Sequence, residues 1–128
     1  MRLLLDTHLL LWLSLDDPKC PAQARKWVAD ANNEVFFSTA SIWEVALLNS
    51  RKPPRFPFTA ADLRTSLLES GYTELPVTSH HASLIETLPR HHADPFDRML
   101  VAQAIADDCT LATHDHILPL YGKMVAKV

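Results

Sequence analysis

The feature that most constrains this chain is a short apolar run that breaks abruptly on an acid. Leu3-Leu4-Leu5 stops at Asp6-Thr7, and the event recurs near the other end, where Thr110-Leu111-Ala112 meets Thr113-His114-Asp115. Unbroken apolar runs this short, closed by a polar turn, are typical of strands buried on both faces of a sheet. The chain between them alternates. A strand over 2–5 leads into an apolar helix over 7–15, and Asp16-Asp17-Pro18 makes a turn. A helix over 21–32 places Ala24, Trp27, Val28 and Ala31 on one face, and 34–37 is a short β-prone run. A helix over 38–49 follows, and Pro53, Pro54 and Pro57 force 51–58 into an extended loop. Further on come a helix from 59 ending at Gly71, a weak strand over 73–77 broken by Pro76, helices over 79–88 and 97–107, a strand over 110–112 and an edge strand near 124–126. This alternation predicts one α/β domain over 1–128, with a central, mainly parallel sheet flanked by helices in three layers.

In such a sheet the loops leaving the C-terminal strand ends share one edge, and ligands bind there. Asp6 and Asp115 follow strands directly. Glu44 and Asp97 fall early in helices that start on the same edge if the preceding strands run parallel. Each acid also has a plain structural explanation. Asp6 suits the N-cap of the helix at Thr7. Ser41 and Glu44 have the spacing of a capping box, with Ser41 as the cap. Asp94-Pro95-Phe96-Asp97 reads as cap, first-turn proline and dipole-favoured acid. Thr113 suits a cap with Asp115 as a first-turn acid. Capping gives no reason for all four acids to share an edge. Two carboxylates about 4 Å apart repel by about 4 kcal/mol at an effective dielectric near 20, and a helix N-terminus offsets only about 0.3–1 kcal/mol. A hard dication with oxygen ligands, Mg²⁺ or Mn²⁺, removes most of that repulsion and supports displacement at phosphorus.

Composition sets the remaining bounds. The chain has 128 residues, 48% of them apolar and 21% charged, which suits one globular domain rather than a disordered segment. Its longest apolar block, around Leu9 to Leu13, is too short to span a bilayer, and no signal-peptide pattern opens it, so a cytoplasmic location is expected. Cys20 and Cys109 lack the spacing of a disulfide framework or a zinc knuckle and are expected as buried thiols. The net charge of −3 does not favour a nucleic-acid partner by itself. Setting Asp6, Glu44, Asp97 and Asp115 aside leaves the rest of the chain marginally positive.

Four ordered stretches carry a family resemblance. They are Leu4-Leu5-Asp6-Thr7-His8, Ser41-Ile42-Trp43-Glu44-Val45-Ala46, the block from His92 through Asp94-Pro95-Phe96-Asp97-Arg98 to Ala104, and Leu111-Ala112-Thr113-His114-Asp115. Together they resemble the PIN-domain family, and more narrowly the VapC-type toxins of bacterial toxin–antitoxin pairs. Leu75-Pro76-Val77 with His81-Ala82 and Leu88-Pro89 is also similar to that subgroup. The resemblance implies a Mg²⁺- or Mn²⁺-dependent endoribonuclease with Asp6, Glu44, Asp97 and Asp115 as its catalytic and metal-site acids, and Asp94 as a less secure fifth. It also implies an RNA substrate, an antitoxin partner lying across the active-site edge and a homodimer. Thr7 and Thr113 fit either ordinary caps or hydroxyls that orient ligands. Many relatives carry a lysine just after the Trp-Glu motif; here Leu47-Leu48-Asn49 stands, with Arg51 and Lys52 as the nearest cations.

Other features rank lower. His80-His81 and His91-His92 are adjacent pairs that point apart, and they read as solvated or half-buried rather than as zinc ligands. His114 and His116, beside Asp115, are better placed for phosphate contact. The segment from Arg51 to Phe58 fits an extended linker with its phenylalanines on the core better than an RNA-stacking strip. Trp12, Trp27 and Trp43 are expected in the core or an interface. Two rival functions stand beside the nuclease. A metal-dependent phosphatase is disfavoured because Asp6-Thr7-His8 lacks a second acid two positions on. A non-catalytic binding module is disfavoured because all four acids are present.

Overall fold

The computed structural model describes all 128 residues. Five strands, β1 (Arg2–Leu5), β2 (Glu34–Ser38), β3 (Thr73–Leu75), β4 (Thr110–Thr113) and β5 (Val125–Lys127), form one sheet in the order β3-β2-β1-β4-β5. All four pairings are parallel, with Leu4 of β1 opposite Phe36 on one side and Leu111 on the other. Six helices cover it: α1 (Thr7–Ser14), α2 (Ala22–Ala29), α3 (Thr39–Asn49), α4 (Ala60–Glu69), α5 (Ser79–Leu84) and α6 (Pro95–Ala106).

Strand side chains alternate, so each central strand feeds two cores. Leu3, Leu5, Val35, Phe37 and Ala112 point to one face and pack with Leu9 and Leu10 of α1, Ala24 of α2, Val45 of α3 and Leu63 and Leu67 of α4. Leu4, Phe36 and Leu111 point to the other and meet Leu100, Val101 and Ala104 of α6. The continuous apolar run in β1 is therefore required, because this strand is covered on both faces.

The ends of elements differ from the sequence-based expectation in instructive places. α2 stops at Ala29, and Ala31 is exposed beyond it. α3 begins at Thr39 with Ser38 as its cap, accepting from the Ala40 N–H, so Ser41 is neither a cap nor half of a capping box with Glu44. True capping boxes occur at Thr59/Asp62 and at Thr78/His81. The helix expected over 79–88 is α5 followed by a 3₁₀ turn at Ile85–Thr87, and α6 starts at Pro95, before the span 97–107 but where the reading of Asp94 as its cap puts it. The chain leaves α4 through Gly71 at φ +87°, where a Cβ would meet nothing within 4 Å. The left-handed backbone, not crowding, selects glycine there. Cys20 and Cys109 are free and buried. No helix is long and apolar enough to cross a membrane.

One buried polar tie holds the C-terminal edge of the sheet to α6. Gln103 is fully buried; its Oε1 accepts from Ser38 Oγ at 2.5 Å and its Nε2 donates to the Leu75 carbonyl at 3.1 Å. It thus joins the C-terminal ends of β2 and β3. Replacing Gln103 with alanine should lower the unfolding free energy by about 1–3 kcal/mol, the cost of leaving buried partners unsatisfied. Urea denaturation checks this, and an unchanged midpoint would show that the tie contributes nothing.

Candidate functional site

Strand order reverses at β1: β2 and β3 lie to one side, and β4 and β5 to the other. Loops leaving β1 and β4 therefore part in opposite directions and open a crevice at their C-terminal ends, the position where open parallel sheets bind ligands. Asp6 and Asp115 both sit there. β1 stays joined to β4 one residue past its own end, as the Asp6 N–H donates to the Ala112 carbonyl at 3.0 Å.

Asp6 is only 3% exposed. Its Oδ1 accepts from the Leu9 N–H at 2.8 Å, capping α1, and its Oδ2 accepts from the Thr113 hydroxyl at 2.5 Å. The cap and the place in the crevice are thus one geometry. Thr113 does not cap a helix; its hydroxyl joins β4 to Asp6 while accepting from the Asp115 N–H at 3.0 Å. Burial drives the Asp6 carboxyl above its ordinary range, against the Thr113 and Leu9 hydrogen bonds.

Glu44 reaches the same crevice from the second turn of α3 and is half-buried. Burial raises its pKa; the Thr7 hydroxyl opposes the shift, and the charges of Asp94 and Asp6 add to it. Ser41, freed from the expected capping role, pairs with Thr7 at 2.9 Å and ties α1 to α3 beside the acid.

Asp97 stands in the first turn of α6. Its carboxyl is pushed up to about 7, first by burial and then by the charge of Asp94; Asp6 and Glu44 add repulsion, and His92 opposes it. Asp94 caps α6, its Oδ1 accepting from the Phe96 and Asp97 N–H groups at 2.8 and 3.2 Å. Asp115 differs from the other acids. Burial presses its pKa upward, but hydrogen bonds from the Ile117 N–H and from His92 outweigh it and leave the carboxyl below its ordinary value.

The structure thus draws Asp6, Glu44, Asp94, Asp97 and Asp115 to one edge, and none of them forms an ion pair with a lysine or arginine. The basic side chain that pairs with them is His92, whose Nε2 lies 2.9 Å from Asp115 Oδ2 and 3.5 Å from Asp97 Oδ2. The ring is half-buried, one of the two placements expected for it, and its contact with the acids is what the sequence did not indicate. Adjacency to His91 hid it, because the hydrogen-bond partner of His92, Asp115, lies 23 positions away in sequence. The nearest signal was its place two residues before Asp94.

Other residues divide. His8, Trp12 and His114 line an open cleft of about 250 Å³ with Asp6 and Asp115. His116 is exposed. Trp43 is 60% exposed and packs edge-on against Phe96, so of the two places expected for it, core or interface, the core is excluded. Trp12 and Trp27 do pack against the α1-side core. Phe56 and Phe58 stack on each other and on that core, consistent with a linker, while Arg51 and Lys52 are exposed.

An all-parallel α/β sheet with clustered carboxylates at its switch point defines a class of domain that binds its ligand at the C-terminal strand edge. The chain belongs to the PIN domain family, whose sequence model matches residues 3–123. Among solved structures it is similar to the crystal structure of VapBC2 from Rickettsia felis bound to a DNA fragment from their promoter, with TM-score 0.70, 14% identity and coverage of 100% of this chain and 98% of that one. It is also similar to FitAcB from Neisseria gonorrhoeae, with TM-score 0.64, 18% identity and coverage of 98% and 95%. At these identities the likeness is one of fold. No curated protein matches the sequence.

The upward shift of Asp97 has a definite sign for stability. In the unfolded chain the group titrates near its ordinary value of 3.8. Between there and about 7 the folded protein holds a proton that the unfolded chain has lost, so stability falls as pH rises through this window. Asp97→Asn should therefore raise the metal-free melting temperature at about pH 8, with the gain vanishing near pH 4. A gain equal at both pH values would show that charge repulsion is not its source.

Proposed function

We propose that this chain is a divalent-metal-dependent endoribonuclease acting in the cytoplasm as the toxin of a toxin–antitoxin pair. The observation that carries the reading is the set of half-buried to buried carboxylates, three of them shifted upward, that no lysine or arginine neutralises. Such a donor set fits a hard cation with oxygen ligands. Asp6, Glu44, Asp97 and Asp115 would hold it. Asp94 has one oxygen committed to capping α6 and serves chiefly to orient that helix. When bound, Mg²⁺ or Mn²⁺ supplies charge neutralisation at the scissile phosphate and a lowered pKa for the attacking water.

The protein's own groups do the rest. Thr113 and the Leu9 amide fix Asp6 so that it meets the ion without rearranging, which is the preorganisation that electrostatic catalysis requires. His8 and His114 on the rim of the cleft present imidazoles to the phosphate backbone. The antitoxin reading rests on PIN-domain membership and on the similarity to VapBC2 and FitAcB. An apolar groove of about 460 Å³ beside the site, with Trp43, Val77, Phe96 and Met99 on its walls, supports a protein partner, either that antitoxin or a second copy in a homodimer.

Incubation with a mixed RNA pool and Mg²⁺ or Mn²⁺ tests the activity. Cleavage should vanish with EDTA and fall in Asp97→Asn by more than the roughly 10–100-fold cost of losing an outer-shell partner. A folded, metal-loaded wild type that cuts no RNA would sink the nuclease assignment. Asp97 must also release its proton to take a cation. Calorimetric affinity for Mn²⁺ should therefore weaken below about pH 7, by up to about tenfold per unit. An affinity that stays flat on acidification would exclude Asp97 as a ligand.

A further inference from the structure

Measured by distance alone, His92 Nε2 and one oxygen each of Asp97 and Asp115 form a three-ligand cluster, all within 4.8 Å of one another. A fourth atom changes that reading. The Asp94 backbone N–H donates to His92 Nδ1 at 3.1 Å. A backbone amide can only donate, so Nδ1 carries the lone pair and the proton of the neutral ring sits on Nε2. Nε2 faces the carboxylates as an N–H and has no lone pair to offer a cation. Nor can the ring exchange tautomers in place, because a proton on Nδ1 would confront the Asp94 amide.

The ring is also held from behind. The His92 N–H donates to Tyr121 Oη at 3.0 Å, and Arg98 Nη1 donates to the same oxygen at 3.1 Å. Arg98 further donates to the Pro89 carbonyl at 2.8 Å and, through Nη2, to the Ile85 carbonyl at 3.0 Å. One guanidinium on α6 thus fastens the segment that delivers the imidazole. On its far side Asp115 is locked by the Ile117 N–H, which donates to Oδ1 at 2.7 Å while His92 takes Oδ2. A carboxylate oxygen that accepts one hydrogen bond keeps a lone pair for a cation.

We propose that His92 is a positioning residue: a fixed Nε2–H donor that aims Asp115, and with it Asp97, at a divalent cation, and is not itself a ligand. The proposal rests on the metal-site reading above and gives that site its chemical character. With the nitrogen excluded, every protein donor is an oxygen, which suits Mg²⁺ and Mn²⁺ over Zn²⁺.

The test joins spectroscopy of the wild type to metal binding by variants. Nitrogen-15 NMR of histidine-labelled protein should show His92 with a protonated Nε2 and bare Nδ1, both metal-free and with Mg²⁺ added. His92→Ala should weaken Mn²⁺ binding about 10–100-fold by calorimetry, as losing an outer-shell partner does, and lower Zn²⁺ affinity by a similar factor. His92→Gln, which retains an N–H donor, should recover part of the loss; circular dichroism confirms that both variants are folded. Loss of the Nε2 proton on adding Mg²⁺, or a selective loss of Zn²⁺ in His92→Ala, would make His92 a ligand and overturn the proposal. So would a folded His92→Ala that binds Mn²⁺ as tightly as wild type. A wild type that binds neither ion fails the metal-site reading itself, an outcome distinct from all of these.

Discussion

Repulsion among carboxylates that have no lysine or arginine partner is the constraint on which this structure turns. Two such charges about 4 Å apart cost about 4 kcal/mol at an effective dielectric near 20, a large share of the 5–15 kcal/mol by which a domain is ordinarily stable. The fold holds them together with donors rather than with salt bridges. Helix α1 and the Thr113 hydroxyl serve Asp6, the start of α6 serves Asp94, and the Ile117 amide and His92 serve Asp115. Asp97, whose carboxyl no backbone amide or hydroxyl serves, is pushed up to about 7. The site is therefore a strained arrangement that the proposed cation would relieve.

Capping and the candidate chemistry are not alternatives at this edge. In a parallel sheet a helix starts where a strand has just ended, so its cap lies in the ligand crevice. Asp6 shows the coincidence most plainly, with one oxygen on the α1 amide and the other on β4. A residue with a sufficient structural explanation can still belong to a site, since the structural bonds are what aim it.

Much of the supporting framework is polar and remote from the crevice. Gln103 ties β2 and β3 to α6, and Arg98 and Tyr121 hold the chain between α5 and α6. His81, buried under α5, accepts from the Thr78 N–H and meets Asp107 at 2.6 Å, fastening α5 to the end of α6. These ties keep α6, which carries Asp97 and Asp94, in register with the strands that carry Asp6 and Asp115.

Much of this was legible in the linear chain. Strand–helix alternation and the unbroken apolar β1 imply a parallel sheet covered on both faces, because hydrophobic periodicity is local and burial reads it directly. The abrupt change from Leu5 to Asp6, and from Ala112 to the Thr113-His114-Asp115 turn, marks acids at strand ends for the same reason. Tertiary structure alone decided the rest. It moved the α3 cap from Ser41 to Ser38, left Trp43 in solvent beside Phe96, and swung His92 onto Asp115, 23 positions away. Caps are set by where the chain leaves a strand, and exposure by which helix lies opposite. The company of an imidazole depends on a loop pinned by Arg98 and Tyr121. Each of these is fixed by contacts between elements far apart in the chain, and no local pattern encodes them.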